Sequence, residues 1–329
     1  MGAWSERKLI DKIRKGSKGN HPDVLLSIGD DCCELATGAS SLISTDTLVE
    51  AVHFDLSFHP PYSLGRKSIA VNLSDIAAMG GVPRFVLLSL CLPEDLEQEW
   101  INEWLDGALS MLREFDCVLV GGDTVKGRQL VLSITVLGEA LSCGAVYRSG
   151  ASEGDSIWVS GVLGAAGAGL ALLSHEKKYP GTVNVSSYQL LCEAHLNPIP
   201  QVALGQDLAR SGYVTAMQDI SDGLATDLAH LCKASGVRAE IDRAVLPMNH
   251  EITDASDFLG LEVEDLLLRA GEDYQLVFTV RAGVEKEFTA LMEEQKQQLT
   301  RIGVITAGNG VLLQKHSGTI DISFQGYEH

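Results

Sequence analysis

The stretch "LISTDTLVEAVHF", residues 42–54, alternates apolar and polar side chains as a half-buried strand does, yet it sets Asp46 between Thr45 and Thr47. A carboxylate in such a strand has to be hydrated, paired or neutralised, because burying it bare is costly. Carboxylates in similar company recur along the chain: Asp30 and Asp31 in "IGDD", Asp75 in "NLSD", Asp123 in "GGDT", Asp219 and Asp222 in "QDISDG". Most sit in loops or at strand ends beside Gly, Ser or Thr. Small neighbours let backbone and ligand approach closely, and short Asp side chains suit a hard cation. Asp75 differs, lying on the polar flank of a helix with an apolar opposite face. Singly, each Asp reads as a turn former or a helix cap, and Asp222 is placed to cap a helix starting at Leu224. Several together would repel one another unless divalent cations neutralised them. With no His or Cys cluster beside them, oxygen-only ligands point to Mg²⁺, Mn²⁺ or Ca²⁺ rather than zinc.

The pattern around these residues alternates strands and helices. A short amphipathic helix is expected over 4–15 and a strand over 42–52. "SLGRKSIAVNLSDIAAMGG" reads as a helix with Ile69, Leu73, Ile76 and Ala77 in one stripe, stopped by Gly80, Gly81 and Pro83. "RFVLLSLCLP" is a strand, 94–115 a long amphipathic helix, "CVLVGGDTVKG" a strand running into a loop, and "QLVLSITVLGEA" another strand. The Gly/Ser-rich segment 141–155 marks a boundary. Beyond it come a strand in "SIWVSG", a helix over 162–174, a polar stretch and a helix near 200–210. A strand then runs into the acidic turn of "VTAMQDISDG". The helix "LATDLAHLCKASG", the strand "VRAEID", a short helix over 262–269, the strand "YQLVFTV", a helix near 284–297 and tail strands complete the chain. Its 329 residues suit two mixed α/β domains, 1–149 and 150–329.

Lys+Arg 25 against Asp+Glu 44 leaves a net charge of −19, which argues against nucleic acid or an anionic membrane as partner. An anionic substrate would need cations in between. The seven cysteines include no C-x-x-C pair and read as reduced thiols of a cytoplasmic protein. "IWVSGVLGAAGAGLALLS", 157–174, is only weakly apolar and reads as strand, turn and helix rather than a membrane span. The P-loop, dinucleotide-fold, EF-hand, protein-kinase and nucleophile-elbow signatures are missing. A phosphate cradle would therefore come from the glycines of "VGGDTVKG" or "SGVLGAAGAG", with Lys126, Arg128 and Arg148 nearby. Tight turns explain those glycines equally well.

In order, "IGDDC", "STDT", "HF", "RKSIAVNLSDIAAMGG", "GGDT", "RSG", "DISDGLATDL" and "AGEDYQLVFTV" resemble the thiamine-monophosphate kinase family, from about residue 27 to the final "GYEH". The wider superfamily includes aminoimidazole ribonucleotide synthetase and selenophosphate synthetase. The resemblance implies a PurM-like two-domain α/β fold, with N-terminal strands pairing across a homodimer and a C-terminal domain closing the cleft. It implies Mg²⁺-dependent transfer of the ATP γ-phosphate to thiamine monophosphate, giving thiamine diphosphate and ADP. Carried onto matching positions, Asp31, Ser44, Thr45, Asp46, Asp75, Asp123, Asp219 and Asp222 hold the magnesium ions, with Asp30 the less certain neighbour. Gly122, Asp123, Arg148 and Ser221 contact ATP, with Phe115 where relatives often carry Tyr. His53, Glu272 and Tyr327 line the substrate pocket. The family's "GGED" is "AGED" here, so Ala270 replaces a glycine.

ATP and thiamine monophosphate together carry about six negative charges, since a phosphate's second pKa is near 6. A cage of Asp and Mg²⁺ reconciles them with an acidic protein. No general base is expected, because a phosphate oxygen is already ionised. Two alternatives stay open: another ATP-dependent member of the superfamily, and a cation-binding scaffold without chemistry. The first is disfavoured in its selenophosphate form, because "RKGSKGNHPD" carries no Cys.

Overall fold

The computed structural model describes residues 24–26, 30–36 and 40–328. The helix expected over 4–15 lies outside them. Among the described residues a six-stranded sheet comes first. It is built from β1 (Val24–Leu26), β2 (Cys33–Ala36), β3 (Ser40–Val49), β4 (Val82–Pro93), β5 (Val118–Gly127) and β6 (Val131–Glu139), in the order β1-β2-β3-β6-β4-β5. Neighbours are antiparallel except β4 with β5. That parallel pair needs a crossover, which α2 (Gln98–Glu114) supplies after α1 (Pro61–Ala78) has joined β3 to β4. Alternation in β6 sends Leu132, Ile134 and Val136 into the core and leaves Ser133 and Thr135 on the outer face.

The helix α1 departs from the expected two-faced pattern. It is buried nearly all round, polar Lys67, Ser68, Asn72 and Ser74 included. The cause is its place: it packs on the first sheet, α2, α5 (Val202–Ser211) and β8 (Val214–Asp219). Contact with α2 is backbone on backbone. A Cβ on Gly65 would lie 1.9 Å from the Trp104 carbonyl oxygen, and one on Gly107 2.0 Å from that of Tyr62.

The second sheet runs β13-β12-β9-β11-β7-β10-β8. It adds β7 (Ser156–Ser160), β9 (Arg238–Asp242), β10 (Leu276–Val280), β11 (Leu299–Thr306), β12 (Gly310–Lys315) and β13 (Gly318–Asp321) to β8. Only β9 with β12 is parallel. Both its faces are covered, so β7 and β10 are buried at every position. Ile157 and Val159 join the core that includes α6 (Leu224–Ser235). Trp158, between them, packs edge-on against Phe288 of α9 (Glu285–Glu294), ring centroids 5.4 Å apart.

Three segments differ from the sequence expectation. The polar stretch after 174 contains the end of α3 (Ala165–Lys178) and a further helix, α4 (Gln189–Leu196), whose Leu191 and Cys192 pack with Leu172 of α3. The helix α7 (His250–Leu259) is an addition to the expected elements, and Asn249 caps it by accepting from the Ile252 amide. It is followed by α8 (Val263–Leu268), which was expected. Finally, "GGDT" is not a loop: β5 continues through it to Gly127, because β4 offers a parallel partner as far as Pro93.

Candidate active site

Three elements bring aspartates from distant parts of the chain together. Asp31 precedes β2, Asp75 lies in the last turn of α1, and Asp219 ends β8. One carboxylate oxygen from each lies within 4.8 Å of the other two. Burial, then the neighbouring carboxylates, push Asp75 and Asp219 well above the ordinary range. Burial first, then Asp222 and Asp31, raise Asp46 to about 6. Asp30 rises to about 7 through burial and Asp31 beside it.

Hydroxyls and one guanidinium hold the cluster. Ser44 donates to Asp75 Oδ2, and Ser74 donates to Asp219 Oδ2 at 2.6 Å. Arg148 donates through Nη2 to Asp31 Oδ1 at 2.7 Å and through Nε to Oδ2 at 3.1 Å. Its backbone N–H donates to Asp30 Oδ2 at 2.9 Å. The Asp46 amide donates to Asn72 Oδ1 at 3.1 Å, which ties β3 to α1.

The acidic turn after β8 is set by a residue the sequence did not single out. Asp227, in the first turns of α6, accepts from the Ser221 and Asp222 amides at 3.0 Å each and from Gln218 Nε2 at 3.0 Å. Asp222 therefore does not cap α6; the N-cap is Gly223, with no side-chain cap bond. The signal was present as "DGLATD", where a second Asp follows Asp222 at a spacing that folds back on the turn.

Beside the cluster opens a cleft of about 870 Å³ whose lining includes Asp46, His53, Ser221, Asp222, Glu272 and Tyr327. His53 Nδ1 accepts from the Val49 amide at 3.0 Å, which leaves Nε2 as the protonated nitrogen. The Tyr327 amide donates to the Asp222 carbonyl at 2.9 Å, so the chain's end is bound to the acidic turn. Glu272 sits at φ 67°, its amide donating to the Ser221 carbonyl at 2.8 Å. A Cβ on Gly271 would fall 2.1 Å from that carbonyl oxygen, so the tight approach needs glycine there. Ala270 is accommodated by Gly167, since a Cβ on Gly167 would lie 2.3 Å from the Ala270 methyl. Across the cleft, Lys177 pairs with Asp55.

Other proposed residues stand apart within the single chain. Thr45 turns its hydroxyl to the opposite sheet face, donating to the Ile134 carbonyl at 2.9 Å and pairing with Thr135 at 3.0 Å. The register Asp46–Ile134–Leu88–Gly122 crosses the sheet. Gly122 is thus three strands from Asp46, about 14 Å at ordinary strand spacing. Asp123 is exposed on β5, opposite Ser89. Phe115 ends α2 and packs half-buried against the first core. Of the two glycine segments, "SGVLGAAGAG" does open a helix, but Asp273 already takes its amides, Gly164 N–H at 2.6 Å and Ala166 N–H at 3.1 Å.

What remains is a largely buried, oxygen-only donor set in which Asp75 is partly exposed and the carboxylates crowd one another. Such a set fits a hard divalent cation. Among the described residues no helix is long and apolar enough to cross a membrane.

Comparison with known proteins bears on the whole chain. Residues 29–140 match the model for the AIR synthase related protein N-terminal domain, and 152–315 the model for its C-terminal domain. The chain is 36% identical to thiamine-monophosphate kinase of Escherichia coli (strain K12) over 338 residues, covering 99% of this chain and 98% of that one. Thiamine-monophosphate kinase from Stenotrophomonas maltophilia K279a superposes with a TM-score of 0.75 at 37% identity, covering 94% of this chain and 96% of the other. AaThiL, solved in complex with AMPPCP and TMP, gives a TM-score of 0.83 at 35% identity, covering 94% and 93%. This chain belongs to the thiamine-monophosphate kinase family.

Proposed function

We propose that this enzyme transfers the γ-phosphate of ATP to the phosphate of thiamine monophosphate, giving thiamine diphosphate and ADP. One observation carries the reading: Asp46 and Asp222 line the same cleft as His53, Glu272 and Tyr327, while Asp31, Asp75 and Asp219 converge beside it. An acidic cluster joined to a roomy cleft suits two anionic reactants bridged by cations. Asp31, Asp46, Asp75, Asp219, Asp222 and the Ser44 hydroxyl would hold Mg²⁺. Bound Mg²⁺ supplies neutralisation of polyphosphate charge. The chain's own part is positioning. Asp227 fixes the turn carrying Ser221 and Asp222, Asn72 and Ser44 fix β3 against α1, and the cleft orients the acceptor for in-line attack. The attacking phosphate oxygen is ionised at neutral pH, so no side chain has to take its proton.

We further propose a homodimer, and a division of the chain into domains 1–149 and 150–329. The outer face of the first sheet supports the former: Phe85, Leu87, Val118, Val120 and Val125 are 38–55% exposed there and along the edge strand β5. Thr45 and Asp123 look out on the same side, so their proposed cation contacts belong to the assembled dimer.

The direct test incubates the protein with ATP, Mg²⁺ and a panel of phosphorylated acceptors and identifies products by mass. Thiamine diphosphate and ADP in equal amounts are expected. Turnover of another acceptor with none of thiamine monophosphate overturns the reading.

A further inference from the structure

Glu272 is held by two side chains from separate elements, neither of which the resemblance assigns. Lys67 Nζ, on α1, lies 2.7 Å from Glu272 Oε1, and His195 Nδ1, on α4, lies 2.9 Å from Oε2. Lys67 is 0% exposed and His195 1%, whereas the Glu272 side chain is 25% exposed and lines the cleft. Each carboxylate oxygen thus has one partner on the protein side and free lone pairs toward the cavity. The backbone contributes too, since Glu272 stands at φ 67° and donates its amide to Ser221. An ammonium without access to water is tolerated only when paired. Here the pair joins a helix packed on the first sheet to a loop leading into the second.

From this juxtaposition we propose that Lys67 is a positioning residue for the acceptor: it keeps Glu272 ionised and aimed into the cleft, where the carboxylate accepts hydrogen bonds from, or pairs with, a nitrogen heterocycle carrying N–H donors or positive charge. The charges of Lys67 and Glu272 cancel, so what the cleft gains there is directed acceptor atoms rather than net field. Burial, then Lys67, disfavour the charged form of His195, which therefore acts as a neutral Nδ1–H donor. The proposal deepens the kinase reading and rests on it for the identity of the acceptor.

Removing Lys67 leaves Glu272 facing His195 and His59 on one side, with Asp273 beside it and Asp46 and Asp222 across the cleft. Burial and those carboxylates then favour the protonated acid. In Lys67→Met we expect KM for thiamine monophosphate to rise about tenfold or more while KM for ATP stays within about twofold. We expect kcat/KM for the acceptor to gain an acid limb between about pH 5 and 8 on top of the fall the parent already shows as the acceptor phosphate protonates. Glu272→Gln should show the raised acceptor KM without the new limb. The double variant Lys67→Met/Glu272→Gln leaves no charge buried alone; it should fold where Lys67→Met alone does not, and match Glu272→Gln in KM.

A merely structural Lys67 predicts instead that both KM values, kcat and Tm deteriorate together with an unchanged pH profile, and that outcome overturns the proposal. So does a Lys67→Met enzyme with the parental acceptor KM. A thermal scan against pH gives a second readout without turnover: Lys67→Met should lose stability more steeply than the double variant as pH rises through the carboxylate range, because both keep the aspartate cluster and only the first keeps an unpaired Glu272. Equal slopes in the two overturn the pairing. Failure of the kinase reading is separate, since it shows in the parent enzyme, which would then not turn thiamine monophosphate over.

Discussion

The Arg148 guanidinium grips Asp31 through two parallel bonds, Nη2 to Oδ1 at 2.7 Å and Nε to Oδ2 at 3.1 Å, while Asp31 shares a 4.8 Å neighbourhood with Asp75 and Asp219. The guanidinium thus places a positive charge directly against one member of the cluster. A residue proposed to contact ATP and one proposed to hold metal are each other's partner. Arg148→Met should cost about 3 kcal/mol of stability without divalent cations, because it strands a buried carboxylate. Mg²⁺ should restore more stability to the variant than to the parent. Thermal denaturation of both proteins with EDTA and with excess Mg²⁺ reads this, and an equal Mg²⁺ response in the two would contradict it.

Asp75 is crowded by Asp46, Asp219 and Asp31 inside the fold. Asp75→Asn relieves that repulsion, so in EDTA its Tm should equal or exceed the parent's. Its kcat should fall by about two orders of magnitude or more, as when a group stabilising the reacting charge is lost. A variant that loses Tm and activity together, with or without Mg²⁺, would assign Asp75 a structural part instead.

The same crowding sets a pH dependence. Burial and neighbouring carboxylates raise Asp46 to about 6 and Asp30 to about 7 on folding, from the ordinary aspartate value of 3.8. Between those values the folded protein binds more protons than the unfolded chain, so stability falls as pH rises through that window. Below about pH 4 both states are protonated and the penalty vanishes; above about pH 7 it is fully present. In EDTA the protein should melt higher at pH 5 than at pH 8, and Mg²⁺ should shrink or invert the difference. A metal-free Tm that climbs steadily toward pH 8 would contradict this.

Gly65 meets the Trp104 carbonyl where α1 crosses α2. Gly65→Ala sets a methyl against backbone that cannot retreat without separating the helices. A loss of about 2 kcal/mol is expected, typical of an overpacked core, and urea unfolding measures it. Unchanged stability would mean that α1 shifts freely, which its burial on several sides makes costly.

The exposed apolar residues of the first sheet give a test of assembly. Val118→Lys or Leu87→Lys should convert a dimer into monomers, because two copies of an added charge meet across an isologous contact. Light scattering at several concentrations would show it, and a parent that is monomeric throughout would remove the dimer proposal.

Much of the fold was legible from pattern. Alternation marked β3 and β6, and the apolar runs marked β7 and β10. The aspartates of the cluster stood out because each sits where an apolar or small-residue context makes a carboxylate expensive. Other features depend on neighbours that one segment does not contain. Asn72, Ser74 and Lys67 read as the polar side of an amphipathic helix, and only the packing of β8 and α5 on that side makes them interior. Asp227 is one acid in the first turns of a helix as far as its own segment shows, and only the fold brings it back onto 221–222. The outward turn of Thr45 follows from period-two geometry, which places it opposite Ser44 and Asp46. The strand through "GGDT" could not be foreseen, since its partner β4 lies some 30 residues earlier.

Lys67 and Asp75 ride on one helix, eight positions apart, which is about 12 Å of axial travel at 1.5 Å per residue. That helix is therefore a ruler between the proposed acceptor site and the proposed polyphosphate site. Inserting one residue between the two would swing them about 100° out of phase. Either end could be satisfied then, never both.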